Sequence, residues 1–170
     1  MSDFSQNGII SNLHDFGTKN TKEIEVELKK FSKERKMELI LPSLYSELEG
    51  DALPKIVEEI SKTNYLNHII VGLDKAKKND AKKAWRFFKK LKTPFTILWN
   101  DGPKLKKLDD ELKKKDLAPN HYGKGRNVWY CLGMCIARDE ARSVALHDCD
   151  IKTYDRRMLA KLFYPVVNPM

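Results

Sequence analysis

The sequence predicts an α/β fold whose mostly parallel sheet is covered by helices on both faces. Apolar stretches typical of strands alternate four times with amphipathic stretches typical of helices. The strand segments are continuous apolar runs, as expected of parallel strands that are buried on both faces. A chain of 170 residues, 41% of them hydrophobic, is long enough for one domain with a substantial core.

The first half of the chain supplies a peripheral helix and two strand–helix pairs. The spacing of apolar residues predicts the peripheral helix at residues 21–31. The first strand is predicted to begin at Met37 and to stop at Pro42, because proline cannot donate to a sheet ladder. The second strand is predicted at residues 66–74. The helices that follow these strands present two apolar stripes: Leu53, Ile56, Val57 and Ile60, then Ala81, Ala84, Phe88 and Leu91.

The second half continues the alternation. Strands are predicted at residues 94–100 and 143–148, and a short closing helix at residues 154–164. The helix after the third strand is predicted to bury Leu105, Leu108 and Leu112. A glycine-rich turn then opens a fourth helix, whose predicted inward face is Val128, Leu132, Cys135 and Ile136.

The composition narrows the classes of binding partner and the cellular location that we expect. Lys and Arg outnumber Asp and Glu by 32 to 24, which favours anionic ligands without choosing among them. Residues 1–20 are polar and are interpreted as a flexible arm, followed by one domain at residues 21–170. No apolar stretch in that arm is long enough for a signal peptide or a membrane span, so we expect a cytoplasmic protein without membrane contact.

The three cysteines are predicted to be reduced thiols, because their number is odd and no export signal precedes them. Cys131 and Cys135 are one helical turn apart, and with His147 and Cys149 they suggest a zinc site as one alternative. The other alternative is that all three are small buried core residues, which the long ligand spacing favours.

Two acids lie at the end of the fourth predicted strand. Ligands of open parallel sheets bind beyond the carboxyl ends of the strands, where Asp148 and Asp150 lie. Two carboxylates at this spacing repel each other unless a cation or a hydrogen-bond donor lies between them. A hard cation such as Mg²⁺ or Mn²⁺, held by one or two carboxylates and by phosphate oxygens, satisfies that requirement. A solvated acidic turn is the alternative.

The turn GKGRN, at residues 123–127, is predicted to bind an anion. Its glycines let backbone amides approach a ligand, and the N-terminus of the helix that it opens favours negative charge. Lys124 and Arg126 add charged donors suited to a diphosphate. The spacing fits neither the P-loop nor the dinucleotide-binding motif. The alternative is a flexible basic turn without a ligand.

Five segments carry a resemblance to a known family. LPSLYSELEGDALPKIVEEI, IIVGLDKA, ILWNDGP, GKGRNVWYCLG and ALHDCDIKTYDRRMLAKLFYPVVNP resemble, in order, successive blocks of the nucleotide-sugar glycosyltransferases of the GT-A fold. They are most similar to the glucosyl-3-phosphoglycerate synthases and their mannosyl-transferring relatives. The resemblance runs from about Met37 to the end of the sequence. In related transferases Asn-Glu often follows Pro-X-Leu directly, whereas here Tyr45 and Ser46 precede Glu47.

The resemblance implies a function and a set of site residues. It implies metal-dependent transfer of glucose or mannose from a nucleoside-diphosphate sugar, of the UDP-glucose or GDP-mannose class, to 3-phosphoglycerate or a similar small anionic acceptor. Asp150 would bind the Mg²⁺ or Mn²⁺ ion. The residues that the resemblance places along the nucleotide sugar are Pro42, Ser43, Leu44, Glu47, Asp74, Gly123, Lys124, Asp148 and Cys149.

The family's acceptor-side residues come later in the chain than the Asp-X-Asp segment, and this sequence ends 20 residues after Asp150. We therefore expect a donor-binding half whose isolated chain is inactive, with an uncovered sheet edge that favours a homo-oligomer. One alternative is a non-catalytic nucleotide-sugar binder. Another is a nucleic-acid-binding module that uses the lysines of residues 82–92 and 104–115, although solvated helix faces explain those lysines more simply.

Overall fold

The structure, a computed structural model, describes residues 19–169. Four parallel strands form one sheet in the order β3-β2-β1-β4, with β1 at Met37–Leu44, β2 at His68–Asp74, β3 at Phe95–Trp99 and β4 at Ser143–Leu146. Within the described residues there are six α-helices: α1 (Thr21–Phe31), α2 (Ala52–Ser61), α3 (Lys78–Phe88), α4 (Pro103–Lys113), α5 (Lys124–Arg138) and α6 (Arg156–Val167). No helix within residues 19–169 combines the length and the apolar character needed to cross a lipid bilayer. Residues 1–18 of the predicted flexible arm lie outside the described residues.

Helices cover the central strands from both sides, so the predicted fold class is confirmed. Leu39 and Leu41 of β1 belong to a large buried cluster that includes residues of α1, α2 and α6. The alternate residue Ile40 packs with Ile70 of β2 against Cys131 of α5 on the opposite face. Because successive side chains of a strand point to opposite faces, a strand buried in this way must be apolar throughout.

The prediction that β1 stops at Pro42 is wrong. The strand continues to Leu44, and Pro42 lies in register with Gly72 of β2. Backbone groups of Ile40 point towards β4, since its carbonyl accepts from His147 N. Pro42, two residues later, points the same way, but the ladder with β4 has already ended at the pair Ile40–Leu146. The missing N–H of the proline therefore removes no ladder bond.

The predicted inward face of α5 is wrong for two of its four residues. Cys135 is buried, but Leu132 is 43% exposed and Ile136 is 77% exposed. The helix rests on the sheet through Cys131 and Cys135 instead, which are one turn apart on a narrow stripe of small side chains. On α4, Leu108 was also predicted to be buried and is exposed.

Candidate functional site

A cavity of about 240 Å³ lies beyond the carboxyl ends of β1, β2 and β4. This is the edge at which open parallel sheets bind their ligands. The site residues that the family resemblance implies all line this cavity: Pro42, Ser43, Leu44, Glu47, Asp74, Gly123, Lys124, Asp148, Cys149 and Asp150. The structure thus brings them together, whereas their individual roles stay predictions.

The ends of β1 and β2 form one wall. Leu44 and Asp74, the last residues of the two strands, lie opposite each other in the sheet register. The chain then turns at β1 because the Glu47 carboxylate accepts a hydrogen bond from the Leu44 amide at 2.9 Å. At β2, the Asp74 carboxylate accepts from the Lys75 amide at 3.0 Å, and Lys75 adopts a left-handed backbone conformation with a φ of 53°. Both acids therefore shape the turns that leave the sheet.

The segment after β4 forms the opposite wall. His147 and Cys149 are buried, and the His147 ring lies 2.9 Å from the Tyr154 hydroxyl. Because the Cys149 side chain is part of the hydrophobic core, the chain is held against the domain between the two acids. Asp148 and Asp150, on either side of Cys149, line the cavity. The cysteine between the acids thus anchors the segment, and its burial raises the pKa of the thiol.

The N-terminus of α5 closes the cavity from the third side. Gly123 has a φ of 144°, a conformation that side-chain-bearing residues rarely adopt, and no side chain caps the helix that follows. The amides of its first turn therefore keep their capacity to bind an anion. Asn127, one turn into the helix, donates a hydrogen bond from its side-chain amide to the Gly72 carbonyl of β2 at 2.8 Å. This hydrogen bond joins the helix start to the sheet.

A salt bridge crosses the cavity. The Lys124 ammonium lies 2.5 Å from the Asp148 carboxylate, so the glycine turn and the acidic segment are in direct contact. A hydrogen bond with Asp148 raises the pKa of Lys124, although burial opposes the effect. Within residues 19–169, no ion pair involves Asp150. The positive charge expected beside the acids is thus supplied in part by the chain itself.

One prediction about this region needs correction, and one alternative is not supported. Arg126 was predicted to bind a diphosphate, but it does not line the cavity and is buried against Asp109 of α4. A zinc site is not formed either, because Cys131 and Cys149 belong to the core clusters on opposite faces of the sheet. Within residues 19–169, no group of three or more His, Cys, Asp or Glu side chains is placed to hold a metal ion. All three cysteines are free and buried, as the other alternative predicted.

Two further residues line the cavity that the sequence did not single out, Lys75 and Asn127. Each had a signal. Lys75 directly follows the end of a predicted strand, where ligand-contacting residues concentrate. Asn127 is the last residue of the glycine-rich turn, and a polar side chain in the first turn of a helix is well placed to face the sheet edge.

The chain is similar to two curated proteins named glucosyl-3-phosphoglycerate synthase. The protein from Persephonella marina is 43% identical over 169 residues, which are 99% of this chain and 42% of the relative. The protein from Methanococcoides burtonii is 34% identical over 160 residues, which are 94% of this chain and 39% of the relative. The predicted resemblance is confirmed. No protein-family model matches the chain, which spans about two fifths of the length of these relatives.

Proposed function

We propose that the chain forms the donor-binding part of a glucosyl-3-phosphoglycerate synthase. In that role it binds a nucleoside-diphosphate glucose for transfer of glucose to 3-phosphoglycerate. The observation that carries the proposal is the cavity in which two strand-end acids meet a basic, uncapped helix N-terminus across a salt bridge. The names of both relatives supply the sugar and the acceptor. A cytoplasmic location stays a prediction.

The wall formed by β1 and β2 suits the nucleoside. Ser43 and Leu44 line this wall at the end of β1, where they can contact a flat base, and Asp74 offers a carboxylate to a ribose hydroxyl. On the opposite wall, Asp148 is placed to accept from hydroxyls of the ribose and the sugar. These donors and acceptors orient the glycosyl carbon for attack by the acceptor.

The helix N-terminus suits the diphosphate. The amides that follow Gly123 and the ammonium of Lys124 stabilise negative charge, including the charge that develops on the departing nucleoside diphosphate. To reach the phosphates, Lys124 exchanges its contact with Asp148 for one with the donor. When Lys124 has moved, the Asp148 carboxylate is available to the hydroxyls of the donor or to a metal ion.

A divalent metal ion fits the residues present. The Asp148 and Asp150 carboxylates line one cavity, and oxygen ligands from one or two carboxylates, phosphates and water are those that Mg²⁺ and Mn²⁺ prefer. Asp150 is exposed and has no ion pair within the described residues, so its carboxylate is free to bind a cation. When bound, such an ion supplies Lewis-acid stabilisation of the diphosphate. The protein's own contribution is to hold the two carboxylates opposite the glycine turn.

Thermal unfolding in the presence of ligands tests the proposal. A ligand that binds only the folded state raises the unfolding temperature. We expect UDP-glucose or GDP-mannose to raise it, and Mn²⁺ to increase the effect. A single-stranded oligonucleotide serves as the anionic control. A shift with the oligonucleotide and none with either nucleotide sugar would overturn the proposal in favour of a nucleic-acid-binding module.

Substitution of Asp150 tests the metal assignment. Asp150→Ala is expected to remove the increase in donor affinity caused by Mn²⁺, while the unfolding temperature without ligand stays unchanged because Asp150 is exposed. Asp110→Ala, at an exposed acid of α4 outside the cavity, is the matched control. Isothermal titration calorimetry with and without Mn²⁺ measures the effect. An unchanged metal dependence in the Asp150 variant would contradict the assignment.

A further inference from the structure

An ionic cluster joins α4 to the first turn of α5, with Asp109 and Arg126 buried and Lys113 and Tyr122 exposed. Its centre is Asp109, which is 3% exposed. Its carboxylate oxygens lie 3.0 Å from Arg126 Nη2 and 2.7 Å from Lys113 Nζ, and one also accepts a hydrogen bond from the Tyr130 hydroxyl. The ring of Tyr122 covers the Arg126 guanidinium at 4.6 Å. Among the described residues that line the cavity, none belongs to this cluster.

The stability of this cluster depends on compensation of its buried charges. A carboxylate at this depth is stable only when charged donors compensate its lost hydration, and the loss of Asp109 would leave the buried Arg126 guanidinium without this ion-pair partner. Burial opposes ionisation of Asp109, but its three hydrogen-bond donors outweigh that effect and lower its pKa to about 2. The carboxylate is therefore ionised at neutral pH and fixes the position of its partners.

The part of α5 that Arg126 fixes is the part that borders the cavity. Gly123 and Gly125 flank Lys124, and a Cβ atom added at either glycine would have no neighbouring atom within 4 Å. The glycine turn thus makes little packing of its own. Its position depends on the next two residues, Arg126 with its bond to α4 and Asn127 with its bond to β2.

We propose that Asp109 is a positioning residue for donor binding: by holding Arg126, it keeps the amides after Gly123 and the Lys124 ammonium directed into the cavity. The proposal rests on the proposed function for the identity of the ligand. The effect of Asp109 on the position of the glycine turn does not depend on the proposed function, because that position is measurable without a ligand. Asp109 itself does not touch the donor.

The other end of the same helix offers a matched control. Glu38 of β1, 1% exposed, pairs with Arg138 in the last turn of α5, at 3.2 Å from Arg138 Nε. Asp109→Asn and Glu38→Gln each remove one buried carboxylate charge that holds an arginine of α5. Both variants lose stability, but only the first is expected to disturb the cavity.

Amide hydrogen exchange of the ligand-free chain is the first test. In Asp109→Asn we expect the amides of residues 127–130, the first in α5 that donate helical hydrogen bonds, to exchange at least tenfold faster than in the wild type, with little change near Arg138. In Glu38→Gln we expect the reverse. The same exchange pattern in both variants, or unchanged exchange at residues 127–130 in Asp109→Asn, would overturn the proposal. If Asp109→Asn does not fold, Tyr130→Phe removes one hydrogen bond to the same carboxylate and is expected to show a smaller effect of the same kind.

Calorimetric titration with UDP-glucose and with GDP-mannose, each with Mn²⁺, is the second test. Asp109→Asn is expected to weaken binding at least tenfold and Glu38→Gln less than twofold, at a temperature where both are folded. Arg126→Lys keeps the positive charge and is expected to fall between these values. Equal losses in the two carboxylate variants would contradict the positioning role. If the wild type binds neither nucleotide sugar, the proposed function fails, and the exchange result still decides the positioning of the turn.

Discussion

At the scale of single residues, Gly72 sets how closely α5 approaches the sheet. A Cβ atom at this position would lie 1.8 Å from Asn127 Oδ1 and 2.6 Å from Cys131 Sγ. Gly72→Ala is therefore expected to lower the free energy of unfolding by about 1–3 kcal/mol, or more if α5 cannot move. Because Asn127 lines the cavity, displacement of α5 should weaken donor binding as well. Urea unfolding and calorimetric titration measure the two effects.

Gly133→Ala is the control for that prediction. Gly133 lies within α5, and a Cβ atom there meets nothing within 4 Å. Because glycine is a poor helix former, this substitution is expected to raise the free energy of unfolding by about 0.5–1 kcal/mol. A similar loss of stability in both variants would show that steric crowding at Gly72 is not the cause.

Asp109 makes stability depend on pH in acid solution. Its pKa is about 2 in the folded protein and has an ordinary value of 3.8, so the unfolded chain binds the proton first. The stabilisation is complete above about pH 4 and is lost as the pH falls towards 2, a change of about 2 kcal/mol. Asp109→Asn should remove this component, whereas the same change at its exposed neighbour Asp110 should not. Urea unfolding between pH 5 and pH 2 measures it, and parallel curves for wild type and Asp109→Asn would contradict the prediction.

At the scale of elements, α5 carries two apolar stripes of which one is buried. Leu132→Ala is expected to lower the free energy of unfolding by less than about 1 kcal/mol, because the side chain is already 43% exposed. Leu53→Ala on α2, at a fully buried leucine, is expected to cost about 2–5 kcal/mol. Denaturant unfolding of the two variants measures the difference. A loss of stability in Leu132→Ala as large as that in Leu53→Ala would instead support the inward face of α5 that the sequence predicts.

Periodicity predicted that α5 exists but could not choose its buried face. Val128, Leu132 and Ile136 are spaced as regularly as the stripe that contains Cys131 and Cys135, and they are more apolar. The stripe of small side chains is the buried one because it lets the helix approach β2 at a glycine. It also gives Asn127 a backbone partner on that strand. Those partners are 55 residues apart in sequence, so no local pattern reveals them.

At the scale of the whole molecule, the topology explains why the lining of the cavity was predictable. In a parallel sheet, the carboxyl ends of all strands lie on one side, so residues that leave neighbouring strands come close together there. Asp74 and Asp148 were predicted to share a site for this reason together with the family resemblance. The directions of the side chains in the glycine turn were not predictable. Lys124 turns to the cavity and Arg126 turns away to α4, because a buried carboxylate on that helix needs a charged partner.

The distribution of charge over the molecule leads to the last prediction. The net charge is +8, and most of the lysines are exposed and lie outside the cavity. At physiological salt the screening length is about 8 Å, so lysines outside the cavity contribute little to binding of a diphosphate. Lys124, which lines the cavity, should instead form a charge-assisted hydrogen bond with the donor.

Lys124→Gln is therefore expected to weaken binding of UDP-glucose or GDP-mannose about tenfold or more, the effect of losing one such bond. Lys83→Gln removes the same charge from an exposed position of α3 outside the cavity and should change the affinity less than about twofold at 0.15 M salt. Lowering the salt should bring the two variants closer together, because long-range attraction then increases. Equal losses of affinity in the two variants at physiological salt would contradict this prediction. They would show that the overall charge attracts the donor and that Lys124 makes no specific bond with it.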